Sequence, residues 1–393
     1  MTIPRQPGPQ VRTRPGRRPI GVGSTMTAGQ EFQSGGEFTL GSEEESLLVR
    51  RNGHLRAGGA ERLATELARQ PSTAGTVVPE IFANQIELNS VVCDSADDLH
   101  RSLTDLRAEV RKAGAWLMAT GVHPAGHFGR VRTLRSPRYD GIHTEFGGLL
   151  RTPTSALQIH VGLPDAETAM AAYRGLRSQL AVLRALGASS PLWYGQDSGL
   201  VCARAAIMWS YPRVGIPPAV HHWEEYVERA ARAMAAAEVP DHSFLWWDMR
   251  VQPQLGTIEV RVMDAQPSLE RAAGLAALIQ GIARAAVERP LDEDVPSEVL
   301  AENDFRAARY GLDCRVVDGN GRMRPMRMIA GLALTRAREA LRGDGLDAAL
   351  ETVAHMLWEP SEAARQRRLF REQGLAALLR DLTARSNGTA GST

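Results

Sequence analysis

Hydrophobic residues recur with the spacing of an amphipathic helix in residues 97–118, where they lie three, four or seven positions apart and would share one face. These positions are Leu99, Leu103, Leu106, Val110 and Leu117. Asp165 is the predicted N-cap of a second helix, because a short polar side chain there precedes an apolar run. The predicted helices are 97–118, 165–186, 224–237, 269–287, 328–341 and 346–382, the last broken at Pro360.

Four shorter stretches have the pattern of β-strands. They are residues 38–49, 157–162, 246–252 and 257–264. A glycine-containing turn separates the last two, which is a hairpin signal. Because the strands are scattered among helices without a regular βαβ rhythm, the sequence predicts an α+β fold with a mainly antiparallel sheet.

Three of these strands carry polar side chains on one face and apolar side chains on the other. In 257–264, Glu259 and Arg261 oppose an apolar face. Arg250 with Asp248 and Gln252, and Gln158 with His160, form the same pattern in the two other strands. Such a face either lines a polar cleft or meets solvent, and three strands of this kind favour the cleft.

The first strand contains three consecutive carboxylates. Glu43 and Glu45 share one strand face and Glu44 takes the other, because side chains alternate along a strand. A buried carboxylate without a partner is costly, so either a cation lies against this run or the strand is an exposed edge. Because Glu44 lies on the opposite strand face, it is the weakest of the three candidates for a metal ligand.

Glu80 and Glu87 are two further carboxylates that could approach the same ion. Either both lie on one helix face, seven residues apart, or a turn precedes a strand that begins at Glu87. Oxygen ligands with at most one imidazole suit Mg²⁺ or Mn²⁺ better than Zn²⁺.

The amino-acid composition limits the kinds of catalytic and phosphate-binding groups that the chain can use. Lys112 is the only lysine in 393 residues, so a Schiff base and a Walker-type lysine are nearly excluded and phosphate must be bound by arginine. Arginines cluster in two loops and would either clamp a phosphate or substrate carboxylate or be solvated: Arg130, Arg132, Arg135 and Arg138, and Arg322, Arg324 and Arg327. A net charge of +1 argues against a nucleic-acid-binding protein.

The hydrophobic content of 43% is that of a globular protein, and no stretch is long and apolar enough for a membrane span. Three dispersed cysteines and the lack of a secretory signal indicate the cytoplasm. Residues 1–36, rich in Pro, Gly and Arg, are predicted to be a disordered tail. A single domain over 37–385 and a frayed end at 386–393 complete the prediction. The long connections at 121–154 and 188–222 are predicted lids.

Several motifs, taken together, resemble the glutamate–cysteine ligase type 2 family of carboxylate–amine ligases. The first is Gly41-x-Glu43-x-Glu45 at the start of a strand. The others are Glu80-x6-Glu87, Gln158-Ile159-His160-Val161, Pro212-Arg213-x-Gly215-x-Pro217-Pro218, Trp247-Asp248-x-Arg250 and Thr257-Ile258-Glu259-Val260-Arg261. The resemblance covers residues 38–385, whereas 139–150 matches no pattern of the family.

The resemblance implies a glutamine-synthetase-like fold, in which a curved antiparallel sheet forms a funnel with helices packed outside. It implies ATP and Mg²⁺ or Mn²⁺ in the funnel, an acyl-phosphate intermediate and a homodimer. The metal ligands would be Glu43, Glu45, Glu80, Glu87, His160 and Glu259. Arg261 would face the transferred phosphoryl group. We assign Arg261 and the neighbouring Arg250 as catalytic, and Arg261, Arg324, Arg327 and Gln158 as contacts to ATP.

Three functions fit this pattern. The favoured one is an ATP-dependent ligase that joins a small carboxylate to an amine through an amide bond, as a glutamate–cysteine ligase does. The alternatives are a guanidino-type phosphotransferase that uses the same funnel and a non-catalytic binding protein. Glutamate and cysteine are not assumed as the substrates.

Overall fold

The computed structural model describes residues 30–70, 72–126, 132–290, 295–343 and 347–389. The strands are β1 (Leu40–Val49), β2 (Gly75–Pro79), β3 (Gln85–Ser90), β4 (Trp116–Met118), β5 (Ala156–Gly162), β6 (Leu192–Trp193), β7 (Gln196–Asp197), β8 (Met249–Gln252), β9 (Thr257–Asp264), β10 (Arg315–Val317) and β11 (Met323–Pro325). The helices are α1 (Ala60–Ala68), α2 (Ala96–Lys112), α3 (Pro137–Phe146), α4 (Ala166–Ser178), α5 (Leu180–Gly187), α6 (Ala203–Met208), α7 (Trp223–Ala236), α8 (Leu269–Glu288), α9 (Ser297–Tyr310), α10 (Met326–Ala340), α11 (Asp347–Trp358) and α12 (Glu362–Ser386), which is kinked at Gly374.

A seven-stranded antiparallel sheet organises these elements. Its order is β2-β3-β1-β5-β9-β8, and β4 pairs with the end of β1. One face of the sheet packs against α2, α4, α5 and α8, and the main core lies between them. Leu88, Ile159 and Val260 point into that core and are fully buried. The predicted α+β class with a mainly antiparallel sheet therefore describes the chain.

The hairpin of β8 and β9 depends on Gly256. This glycine has a φ of 64°, in the left-handed region that other residues rarely adopt. A Cβ at this position would lie 2.1 Å from the backbone oxygen of Gln33, so only glycine lets the chain before β1 pack on the turn. The predicted hairpin is confirmed, with a turn closed by an earlier segment.

At both chain ends, described residues that fall in the predicted free segments make contacts with the rest of the protein. Residues 30–36 are not a free tail, because the Gln33 amide donates to Pro253 O and the Gly35 amide to Leu163 O, each at 2.9 Å. At the other end, Ser386 is fully buried and accepts a hydrogen bond from the Ala119 amide. Residues 1–29 and 390–393 lie outside the described residues. Hydrogen bonds to distant segments leave no trace in local composition, which is why the sequence alone does not reveal these contacts.

Two internal predictions also change. The helix predicted over residues 97–118 ends at Lys112, because Gly114, at a φ of 76°, turns the chain toward β4. The long connection at 121–154 contains α3, which Ser136 caps by accepting a hydrogen bond from the Tyr139 amide.

The alternative of a turn followed by a strand is correct for Glu80 and Glu87, since Glu87 lies within β3. Among the described residues, no helix combines the length and apolar character of a membrane span.

Candidate active site

A cavity of about 680 Å³ lies against the face of the sheet that is turned away from the main core. Four carboxylates line it: Glu43, Glu45, Glu80 and Glu87. Arg138, Arg250 and Arg261 also line it, together with Gln158 and a group of apolar side chains. We call the part around the four carboxylates the acidic half. The cavity brings together most of the residues that the sequence predicts for the site.

The strand register explains why these carboxylates meet. Glu43 in β1 lies opposite Asn89 in β3 and Gln158 in β5, and Glu45 lies opposite Glu87. Residues directly opposite in neighbouring strands place their side chains on the same face. Glu80 joins them from the turn that follows β2, where one carboxylate oxygen accepts the Ile81 amide at 2.8 Å. Two stretches distant in sequence, β1 and residues 80–87, thus build one acidic surface.

The electrostatics of the acidic half favour a bound cation. Burial, with the negative charge of Glu80 added, raises the pKa of Glu45 to about 7. Burial also raises the pKa of Glu80, and it raises that of Glu87 well above its usual value together with Glu43, Glu80 and Glu45. Carboxylates that repel one another in a buried site are stabilised when a cation lies between them.

Glu45 is held by neutral donors. Its oxygens accept hydrogen bonds from the Ala156 amide and the Gln158 side-chain amide, each at 2.8 Å, and from Gln85 at 3.3 Å. These contacts orient the carboxylate toward the cavity without neutralising it. Gln158, which the sequence assigns to ATP, therefore contacts Glu45 directly.

His160 has the geometry of an oriented ligand. Its Nδ1 lies 3.0 Å from Thr257 Oγ1, and this contact fixes the ring. The buried Nε2 has no hydrogen-bond partner in the protein and lies 3.3 Å from Glu43 Oε1. Among the described residues, Glu43, His160 and Glu259 form the one group of three with candidate ligand atoms within 4.8 Å of one another.

Glu259 is the most strongly paired acid of the site. Arg250 donates to both of its oxygens, at 2.7 and 3.1 Å, and Gln252 and Arg261 also donate to it. Burial alone would raise its pKa, but Arg250, Arg261 and His160 hold the pKa well below the usual value. Arg261 in turn donates to Gln158 Oε1, beside a register shift between β5 and β9. Glu259 is thus an ionised anchor for two arginines that line the cavity.

Comparison with known proteins places the chain in a family. The pattern of glutamate–cysteine ligase family 2 matches residues 39–380. The chain is 34% identical to a Rubrobacter xylanophilus protein named "Putative glutamate--cysteine ligase 2-3", over 87% of this chain and 95% of that one. A Thermobifida fusca protein named "Putative glutamate--cysteine ligase 2" is 32% identical over 88% of this chain and 90% of its own length.

The chain belongs to glutamate–cysteine ligase family 2. The fold of this family member is similar to that of a Francisella tularensis glutamate–cysteine ligase solved in complex with AMP, with a TM-score of 0.69, 12% identity and coverage of 91% of this chain and 89% of that one. A bifunctional glutathione synthetase of Pasteurella multocida gives a TM-score of 0.65 at 14% identity, over 90% of this chain and 52% of its own. The predicted family, fold and class of ATP-dependent carbon–nitrogen ligase are confirmed.

Two acidic residues near the cavity have structural partners in this family member. Glu44 points into the core, where its oxygens accept hydrogen bonds from Arg107 of α2. Asp248, predicted to share a polar face with Arg250, instead accepts a hydrogen bond from the buried Arg184 at 3.0 Å. Within the described residues, neither Glu44 nor Asp248 lines the cavity.

The structure does not bring Arg324 and Arg327 to the cavity. Arg324 lies in the β10–β11 hairpin and pairs with Asp318 at 3.1 Å, and Arg327 at the start of α10 pairs with Asp313 at 2.8 Å. Neither lines the cavity in the part of the chain that is described. Their assignment to ATP is therefore withdrawn, because a loop rich in arginine carries no information about where it folds.

Sequence reasoning missed an apolar side of the cavity. Tyr139 and Ile142 of α3, Leu150, Met208, Tyr211 and Trp246 line it. A signal for α3 was present, since Ser136 and Pro137 form a helix start and Ile142 and Phe146 recur four residues apart. The other residues come from separate segments, and nothing in their local sequence links them.

Proposed function

We propose that this cavity is the active site of an ATP-dependent carboxylate–amine ligase that uses Mg²⁺ or Mn²⁺. The observation that carries the proposal is the acidic half itself, four carboxylates around one cavity with Arg250 and Arg261 beside them. Membership in glutamate–cysteine ligase family 2 supports the reaction class. The two substrates are a small carboxylate and a small amine.

The donor set fits a hard divalent cation. Carboxylate oxygens are what Mg²⁺ and Mn²⁺ prefer, and the Nε2 of His160, 3.3 Å from Glu43 Oε1, offers one imidazole nitrogen. Glu43, Glu45, Glu80, Glu87 and His160 would hold the metal, and Glu259 is proposed with them through its proximity to Glu43 and His160. Bound there, the metal would neutralise charge on the phosphates of ATP.

The arginines supply fixed positive charge where phosphate charge develops. Arg261 is held by Glu259 and Gln158, so its guanidinium needs little rearrangement to face a transferred phosphoryl group. Arg250 is fixed by its two contacts to Glu259 and by the backbone oxygen of Ser243 at 3.0 Å. We propose Arg261 as the contact to the phosphoryl group, and Arg250 as its neighbour in the same charge network.

The reaction proceeds in two balanced steps. An oxygen of the substrate carboxylate attacks the γ-phosphorus of ATP, the bond to the β–γ bridging oxygen breaks, and acyl phosphate and ADP form. The amine nitrogen then attacks the acyl carbon, phosphate leaves, the nitrogen loses a proton, and an amide results. Exclusion of water would protect the acyl phosphate, and α3 with the apolar side of the cavity, which line it, would limit the access of water.

ADP release tests the proposal directly. Pools of small carboxylates and amines are assayed with Mg²⁺ and ATP, and the product is identified by mass spectrometry. We expect ADP release that requires both partners, and loss of roughly 100-fold or more in turnover for Glu43→Gln. Glu66→Gln, at an exposed position of α1, is the matched control and should retain turnover. A stable phosphorylated product formed without an amine would instead identify a phosphotransferase.

A cytoplasmic location and a homodimer remain predictions from the sequence. Sedimentation of the purified chain measures its oligomeric state. A monomer at micromolar concentration would remove the homodimer from the proposal without affecting the reaction.

A further inference from the structure

The cavity has a second part with a different character from the acidic half. Six side chains form it, and we call them the apolar wall: Tyr139, Ile142, Leu150, Met208, Tyr211 and Trp246. Tyr211 and Trp246 contact each other edge to face, with ring centroids 6.1 Å apart, and Phe146 packs in the same way on both. Aromatic rings braced in this way give a rigid apolar surface rather than a collapsible one.

Arg138 lines the cavity beside Tyr139 without a direct ion pair among the described residues, although the charges of Asp241 and Glu80 act on it at longer range. The other two arginines that line the cavity, Arg250 and Arg261, are both paired with Glu259. Arg138 donates to the side chain and backbone oxygen of Ser243, and its guanidinium lies 4.6 Å from the centre of the Phe244 ring. Within the described residues, no carboxylate oxygen lies within 4.0 Å of it. The side chain is therefore oriented by Ser243 and Phe244, and no direct ion pair occupies its guanidinium, which leaves it able to pair with a carboxylate of a ligand.

These observations specify a ligand with three parts. A carboxylate would pair with Arg138, an apolar group would contact the apolar wall, and an ammonium would face the acidic half. Resting on the proposed function, we infer that the amine substrate is an α-amino acid with a large apolar side chain, such as that of leucine or phenylalanine.

The charges assign this ligand to the amine rather than to the acid. The carboxylate that is phosphorylated must reach the γ-phosphate beside Arg261 on β9. Arg138 lies on α3, off the sheet, and is held by Ser243, whose backbone oxygen Arg250 also contacts, whereas Arg261 is held by Glu259 and Gln158. A carboxylate held by Arg138 is not the one that is phosphorylated. An amino acid that serves as the amine substrate carries such an unreactive carboxylate. Cysteine would leave most of the apolar wall uncovered.

Binding of matched ligands tests the inference on the full chain with Mg²⁺ and a non-hydrolysable ATP analogue. L-Phenylalanine and phenethylamine differ only in the carboxylate, and L-leucine and L-cysteine differ in apolar size. In calorimetry we expect leucine or phenylalanine to bind at least about tenfold more tightly than cysteine, because each additional buried methylene group increases the binding affinity. The binding affinity for phenylalanine should also exceed that for phenethylamine by about tenfold or more.

Three variants separate the parts of the site. Arg138→Gln should remove the preference for phenylalanine over phenethylamine and leave phenethylamine binding within about twofold. Arg135→Gln, which removes a neighbouring exposed arginine, is the matched control and should keep that preference. Ile142→Thr, a small change in the apolar wall, should weaken phenylalanine binding and leave binding of the ATP analogue unchanged.

Each contrary result has a distinct meaning. Tighter binding of cysteine than of leucine and phenylalanine, or no binding of the apolar amino acids, overturns the inference while the ligase reaction stands. Weaker ATP-analogue binding in Ile142→Thr, with phenylalanine binding intact, overturns it because the apolar wall then holds adenine. Failure of the wild-type chain to bind the Mg²⁺–ATP analogue instead overturns the proposed function.

Discussion

The two faces of β1 place glutamate side chains in opposite electrostatic environments. On the core face, Glu44 is fully buried, and both of its oxygens accept hydrogen bonds from Arg107. Arg107 also donates to the backbone oxygens of Gln266, Pro267 and Ser386. On the cavity face, Glu43 and Glu45 meet other carboxylates, and the pKa of Glu45 rises to about 7.

This difference distinguishes a structural charge from a functional one. The fold supplies Glu44 with a cation whose remaining donors are all used, so that pair ties β1 to α2 and to the chain after β9. The fold supplies the acidic half with too little positive charge, and the carboxylates remain in mutual repulsion. A protein can retain such unfavourable repulsion between carboxylates at a site where a bound ligand relieves it. Substitutions on one face of β1 at a time test this distinction.

The largest effect on stability is expected from the core face. Arg107→Met leaves the carboxylate of Glu44 buried without a cation, which should lower the free energy of unfolding by about 3–5 kcal/mol. Urea denaturation measures the change. Arg101→Met, on the exposed side of the same helix, is the control and should cost less than about 1 kcal/mol.

The double variant Glu44→Gln/Arg107→Met sharpens this result. Because it removes both charges, it should recover a large part of the stability that Arg107→Met loses. A loss below about 1 kcal/mol in Arg107→Met would contradict a structural role for the pair.

The cavity face should respond in the opposite direction. Glu87→Gln removes one carboxylate that burial and three acidic neighbours make costly. We expect the metal-free protein at pH 8 to become more stable by on the order of 2 kcal/mol. Turnover with ATP and Mg²⁺ should nevertheless fall about 100-fold, since a proposed ligand is lost. Denaturation and ADP release are measured on the same samples.

Glu66→Gln again serves as the control for Glu87→Gln and should change neither quantity. A Glu87→Gln protein that is less stable than the wild type without metal would show that the acidic half is already neutralised by the fold. The contrast between the two faces of β1 would then disappear.

The same two faces show how far the sequence could predict the molecule. Alternation along β1 separated Glu44 from Glu43 and Glu45, and the polar faces of β5, β8 and β9 were read in the same way, because a period of two is a local property. The family motifs added Glu80 and Glu87, whose spacing alone allowed two geometries. The resemblance also supplied the fold class, which short strand signals could not have specified in detail.

What escaped prediction depends on contacts between distant segments. Residues 30–36 and Ser386 fall in the predicted free ends, although the backbone of residues 33 and 35 and the hydroxyl of Ser386 form hydrogen bonds with other parts of the chain. The apolar wall joins α3, α6, the segment after it and Trp246, so no local pattern contains it. Arg324 and Arg138 were equivalent as members of arginine-rich loops, and only the tertiary structure places Arg138 at the cavity and Arg324 away from it.

The smallest expected effect concerns pH. Burial, followed by the charge of Glu80, raises the pKa of Glu45 from its ordinary 4.5 to about 7 without metal. Between these values the folded protein binds more protons than the unfolded chain, so this group lowers stability as the pH rises toward 7. Metal binding needs the ionised carboxylate. At pH 6 about nine tenths of Glu45 is protonated, and Mg²⁺ affinity should be about tenfold lower than at pH 8.

Thermal unfolding with saturating Mg²⁺ measures this difference. The stabilisation by Mg²⁺ should be about 1.4 kcal/mol smaller at pH 6 than at pH 8, because a tenfold change in affinity corresponds to that free energy. Glu45→Gln should reduce the dependence of the Mg²⁺ effect on pH, whereas Glu66→Gln should preserve it. Equal stabilisation at the two pH values would mean that the cation binds away from Glu45, and the cavity face of β1 would then lose its part in the metal site.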